Sequence, residues 1–357
     1  MVTADITLID ILLHPPLLTK LEGRELTRVL RQARYTGLLG FIEARVDRDK
    51  TAGKLADHLL SARIHADYNN QTISWEIDRL ASVLKPLSGP VILLKGAAYK
   101  ALELGLAQGR LASDVDLLLP KPQLGPAERL LLHAGWSHMK ADEYDQHYYR
   151  DWMHELPPLQ HNERGTVVDL HHGILPPTAR LKPDPLKLIS AARPIANSPF
   201  FTLSSEDTVL HRAAHLFYDG DLTNGLRELV DINELLSVFA KQPQFVQRTV
   251  SRAHELGLSR PLYYAVHFCG ELLRSAVASQ IESKLESSAP GFPVRQLALS
   301  LMRLQLIPTD PDKRESVHKI ASNLLYLRSH WLRMPPTMLA RHLLTQVRRR
   351  GGIRPGQ

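Results

Sequence analysis

Three aspartates define the chemistry this chain is equipped for. Asp114 and Asp116 sit one residue apart in "SDVDLLLP", at the mouth of a three-leucine run, and Asp169 follows another apolar run in "TVVDLHHG". Side chains of an extended strand alternate between faces, so Asp114 and Asp116 point the same way. Like charges that close repel, and burying a charge is expensive unless it is paired or metal-bound. Two readings follow: the acids are exposed at a strand end, or they share a cation. Oxygen-only ligands at a strand end suit Mg²⁺, which takes one or two carboxylates and fills its shell with water and substrate phosphates. Asp169, in a predicted strand of its own, is the candidate third ligand. On repulsion alone, Asp116→Asn should leave the unliganded protein as stable as before.

The elements that must position these acids follow from periodicity. Residues 1 to about 85 repeat apolar positions every three or four residues, which predicts helices, the third over Thr72–Leu84. "LSGP" breaks the pattern. "VILLKG" then reads as a buried strand, "AAYKALELGLA" as a helix, "DVDLLLP" as a second strand and "GPAERLLLHAGW" as another helix with Pro126 near its start. "HELPPLQHN" and "GTVVDLHHGI", joined through "NERG", predict a β-hairpin whose proline-bearing strand lies at an edge. Helical spacing returns at Ser204. The expected organisation is a helical region over 1–88, an α/β core over 89–200, a helical domain over 201–345 and a basic flexible tail over 346–357.

Composition narrows the function. The formal charge is +7, yet eight Lys and Arg and no acids follow Glu315, which leaves the rest of the chain at −1. The basicity therefore belongs to the C-terminal end, as a solvated helix end or as a phosphate-attracting arm, and nucleic acid finds weak support as a partner. A lone Cys269 in apolar surroundings excludes a disulfide framework and reads as a buried thiol. No apolar run approaches a membrane span and "MVTADITLID" lacks a signal-peptide layout, so a cytoplasmic, membrane-free protein is expected. Phosphate-binding glycine loops, HExxH and GxSxG are missing. His211 and His215 have zinc-pair spacing, but no third or fourth ligand is signposted. His147, His154 and His161 repeat every seven residues across prolines, which reads as coincidence.

"LLKGAAYKALELGLAQGRLASDVDLLLP" followed by "VVDLHHGI" resembles the uncharacterised bacterial nucleotidyltransferase family of the DNA polymerase beta-like superfamily. The resemblance runs from the N-terminal helices to about residue 240. It implies an α+β fold: a small mixed sheet flanked by helices, with an N-terminal helical arm and a C-terminal helical domain. It also implies transfer of an NMP from an NTP to an acceptor, with release of pyrophosphate and two Mg²⁺ ions, Mn²⁺ being the alternative. Asp114, Asp116 and Asp169 match the metal-binding and catalytic acids. Lys95, Gly96, Arg110 and His171 match the nucleotide-binding positions. One departure is that Gly96 is followed by Ala97, where the superfamily usually has Gly or Ser; another is a longer gap before the acids. A nucleotide-binding helical scaffold with a weakened site is the alternative reading. The base and the acceptor (small molecule, protein or RNA) are not specified.

Overall fold

The computed structural model describes residues 6–139, 146–219, 222, 225–309 and 316–335; the tail expected over 346–357 lies outside them. Seven strands form one open mixed sheet: β1 (Ile92–Leu93), β2 (Asp114–Leu118), β3 (Trp136–His138), β4 (Leu159–His161), β5 (Val167–His171), β6 (Arg193–Pro194) and β7 (Phe201–Thr202). Their spatial order is β3-β4-β5-β2-β1-β7-β6. The central strands β2 and β5 are parallel, and β1 runs antiparallel to β2. Helices surround this sheet, so the fold is α+β as expected.

The "NERG" hairpin is present, with β4 antiparallel to β5. Three strands were not read from the sequence. β3 takes up the last residue of a stretch read as helix, and β6 and β7 have two residues each, too few to show alternation. The "AAYKALELGLA" helix is also shorter than expected. It spans Lys95–Ala101 and gives way to a 3₁₀ turn at Gly105–Ala107.

The N-terminal arm carries the main surprise. Two predicted helices are one, Gly53–Val83, running straight through "YNN". Asn69 and Asn70 usually favour caps and turns because they bond local backbone. Here their amides reach outward instead. Asn69 both donates to Ala112 O and accepts from Ala112 N, each at 2.8 Å, and Asn70 donates to Ala107 O. Further along the same helix, buried Glu76 accepts from Arg164 at 2.7 Å and from Thr166, which ties down the β4–β5 turn. One helix thus clamps the approach to β2 and the approach to β5, the strands that carry the acids. Gly109 seals this approach from the other side. It adopts φ +75°, and a Cβ there would lie 2.0 Å from Gly40 O. Only glycine permits that backbone contact.

Buried residues from the arm, the sheet and the C-terminal helices belong to one apolar cluster, from Leu8 and Leu80 through Val115 and Leu117 to Phe217 and Leu272. Cys269 is buried in it with its thiol toward Leu229 O, and burial pushes its pKa up. Among the described residues, no helix is long and apolar enough to cross a membrane.

Candidate active site

The parallel pairing of β2 with β5 sets Asp116 directly opposite Asp169. Period two puts Asp114 on the same face of β2 as Asp116. β1 supplies the next component: Leu94 N donates to Asp116 O at 3.0 Å, which brings Lys95 beside Asp116. Lys95 Nζ then donates to Asp116 Oδ1 at 2.9 Å. Lys95 holds φ +45°, a left-handed conformation sparsely populated by non-glycine residues, at the turn from β1 into its helix. His171, at the end of β5, meets the same Oδ1 through Nε2 at 3.0 Å, while its Nδ1 faces Glu155 Oε2 at 3.3 Å. Asp116 is 2% exposed, so these two contacts compensate a buried carboxylate.

Asp169 has no such compensation. Its Oδ1 is buried and has no hydrogen-bond partner among the described residues. Burial, then the charges of Asp116, Glu155 and Asp114, push its pKa up to about 7. Burial and Asp116 likewise raise Asp114. Burial pushes Asp116 up too, but the Lys95 ammonium and His171 outweigh it and hold Asp116 well below the usual carboxylate range. For His171, the bond to Asp116 and the charge of Glu155 overcome burial and raise its pKa.

Asp116, Asp169 and His171 present donor atoms within 4.8 Å of one another, close enough to share an ion. Asp114 is in neither of the two groups of that kind found among the described residues. A cleft of about 190 Å³ opens on Lys95, Asp169 and His171. It is smaller than the roughly 300–1,000 Å³ of a typical small-molecule site. A larger cavity, about 760 Å³ and lined by Glu43, Arg63, Asp67 and Lys100 among others, contains none of these acids.

Gly96 and Arg110 lie behind the site. Arg110 is buried, donating through Nε to Asp231 at 3.0 Å, and its Nη1 would meet a Cβ on Gly96 at 2.5 Å. Asp231 also accepts from Arg212 at 2.9 Å. The arginine therefore supports the Lys95–Gly96 turn from beneath and does not line the cleft.

Several residues of the cleft escaped the sequence reading. His211 and His215 both line it, although spacing alone gave no reason to connect them with Asp169. His154 and Glu155 line it as well. They arrive through a short bridge, Glu155 opposite His171, with His172 N donating to His154 O at 2.8 Å. The available signal was the proline-flanked "MHELPP" as the partner of β5. Spacing along the chain could not supply it, because the link runs across the sheet.

The open mixed sheet thus sets two aspartates of one strand beside an aspartate of its parallel neighbour, with a lysine on the adjoining turn. The chain belongs to the uncharacterised nucleotidyltransferase family, whose sequence profile matches residues 22–274; placement in the DNA polymerase beta-like superfamily is consistent with this. No curated protein and no solved structure gives a significant match.

Proposed function

We propose that this protein is a metal-dependent nucleotidyltransferase that moves an NMP from an NTP to an acceptor and releases pyrophosphate. The observation that carries this reading is Asp169: a buried carboxylate oxygen without a hydrogen-bond partner among the described residues, in register with Asp116 and lining a cleft. Buried polar groups in folded proteins nearly always have partners, so an orphaned acid beside other acids is fitted to a cation. Asp114, Asp116 and Asp169 would hold Mg²⁺, with Mn²⁺ as the alternative. When bound, the metal would supply the charge neutralisation that transfer at an α-phosphate requires.

The chain's own groups do the rest. Asp169, on the cleft wall, is placed to accept the proton of the attacking acceptor hydroxyl. His171 holds Asp116 in position through Nε2. Lys95, on the cleft wall, is the cation placed to meet the nucleotide's phosphates. Gly96 leaves the turn bare for a close approach by substrate, while Arg110 braces that turn through Asp231. The reading is tested by incubating wild type and Asp169→Asn with each α-labelled NTP, Mg²⁺ and a cell extract. Wild type should label one fraction with one NTP, and the variant should not. Equal labelling by the two proteins, or none by wild type with any NTP, would overturn it.

A further inference from the structure

The cleft carries a second group of donors with a different chemistry. His154, Glu155 and His171 present ligand atoms within 4.8 Å of one another. Two imidazoles and one carboxylate are poor ligands for Mg²⁺, which favours oxygen, but they suit borderline cations of the zinc type. His₂Glu is also a donor set that leaves a fourth coordination position open in zinc enzymes.

Three observations bear on whether this is a site. His154 Nδ1 is buried with no hydrogen-bond partner among the described residues. His154 itself lines the cleft. Glu155 Oε2 and His171 Nδ1 are 3.3 Å apart, about the donor separation of a tetrahedral ion with bonds of roughly 2.0–2.1 Å. Finally, the other nitrogen of His171 is bonded to Asp116 at 3.0 Å. A metal-ligating histidine characteristically donates its far N–H to a carboxylate, which fixes ring orientation and tautomer. Asp116 would thus serve two roles, as an oxygen ligand on its own side and as the outer carboxylate of the histidine site.

We propose that His154, Glu155 and His171 Nδ1 form a binding site for one zinc-type divalent cation, distinct from the aspartate site and joined to it through the His171 ring. All three residues line the cleft, and His211, His215 and Tyr218 line it as well. The site goes beyond nucleotidyl transfer and stands without it.

The test uses tag-free full-length protein, stripped with a chelator and titrated with Zn²⁺ alone against a competing indicator. Wild type should bind one equivalent saturably. His154→Gln and Glu155→Gln should each weaken that binding by about a hundredfold or more, beyond the effect typical of an outer partner. The shift in melting temperature given by Mg²⁺ with NTP should remain in His154→Gln, which separates this site's failure from that of the transferase reading. Because either variant could misfold, wild type is also loaded with Co²⁺, where four-coordinate N/O ligation should give intense visible bands. Absence of saturable Zn²⁺ binding, unweakened binding in both folded variants, six-coordinate cobalt spectra, or loss of the Mg²⁺–NTP shift along with zinc in His154→Gln would each overturn the proposal.

Discussion

Two clusters of buried charge lie within this fold, one balanced and one not. Behind the Lys95–Gly96 turn, the guanidiniums of Arg110 and Arg212 bond the carboxylates of Asp231 and Glu228, and His215 adds a bond to Glu228 at 3.0 Å. Arg212 is 2% exposed, and its two partners offset its charge. Burial would push Glu228 up, but Arg212 and His215 hold it well below the usual range. At the ends of β2 and β5 the balance is different. Asp114, Asp116, Asp169 and Glu155 gather around Lys95 and His171, both of which bond Asp116, and among the described residues the buried Asp169 Oδ1 has no hydrogen-bond partner. In the balanced cluster the charges pair off, although Arg212 Nε is buried there without a hydrogen-bond partner among the described residues. The unbalanced one gains from any cation, which is the physical mark of a site as opposed to a brace.

The largest effect should come from breaking the balanced cluster. Arg212→Met removes a buried cation and leaves Asp231 and Glu228 short of a partner. Breaking a buried pair typically costs about 3–5 kcal/mol, to be read by denaturant unfolding. Adding Glu228→Gln, which removes the carboxylate that Arg212 leaves uncompensated, should recover part of that loss. A cost near zero for the single variant would show that the cluster is not the brace it looks to be.

This contrast also explains what was legible in the sequence. Asp114, Asp116 and Asp169 were readable because strand periodicity converts spacing into a shared face, and the register bears that geometry out. The hairpin was readable from its turn residues. The partners of Arg110 were not: Asp231 lies 121 residues away on the helix Gly225–Phe239, a separation no local pattern encodes. For His154 and Glu155 the predicted hairpin gave the neighbouring strand, but not the single bridge that sets Glu155 against His171. Asn69 misled for the opposite reason, since its local preference for turns was overridden by two tertiary hydrogen bonds.

A smaller effect is expected where the two clusters touch. A Cβ on Gly96 would lie 2.5 Å from Arg110 Nη1 and 3.0 Å from Ala112 Cβ. The arginine cannot simply swing aside, because Asp231 holds it. Gly96→Ala should therefore cost roughly 1–3 kcal/mol, the usual penalty of overpacking, and should weaken Mg²⁺–NTP binding by displacing Lys95. Thermal melts with and without ligand measure both. An unchanged melt would show that Arg110 is free, contrary to its bracing role.

The unbalanced cluster should respond with the opposite sign. Relief of repulsion is not the result to expect at Asp116, whose bonds to Lys95 and His171 would be weakened by Asn, at a cost of roughly 1–3 kcal/mol. It is the result to expect at Asp169. Asp169→Asn removes a poorly compensated charge, so the unliganded variant should be more stable at pH 8 by on the order of 1–3 kcal/mol. Its stabilisation by Mg²⁺–NTP should disappear, since linked stability tracks affinity. A destabilised apo variant with an intact ligand shift would make Asp169 a structural acid.

The finest discriminator is the pH dependence of that same difference. An unperturbed aspartate titrates near 3.8, and Asp169 is raised to about 7 in the fold. Between these limits the folded state binds the proton more tightly than the unfolded chain. Unfolding free energy from this group therefore falls as pH rises through the window, by at most about 1.4 kcal/mol per pH unit. His171, also raised, loses stability in the same direction as pH climbs past its folded value, whereas His154 and His211, pushed down by burial first, lose stability as pH falls below 6.5. The overall profile mixes these signs, so the wild-type curve alone is a poor readout. Subtracting the Asp169→Asn curve leaves mainly the one carboxyl. The variant's advantage should grow from pH 5 to 7 and level off above. Metal affinity of wild type should run the other way, rising about tenfold per pH unit up to 7, because the ligand must be deprotonated to bind. A stability difference independent of pH would mean that Asp169 is already compensated in the unliganded fold, and the contrast between the two clusters would then fail at its central residue.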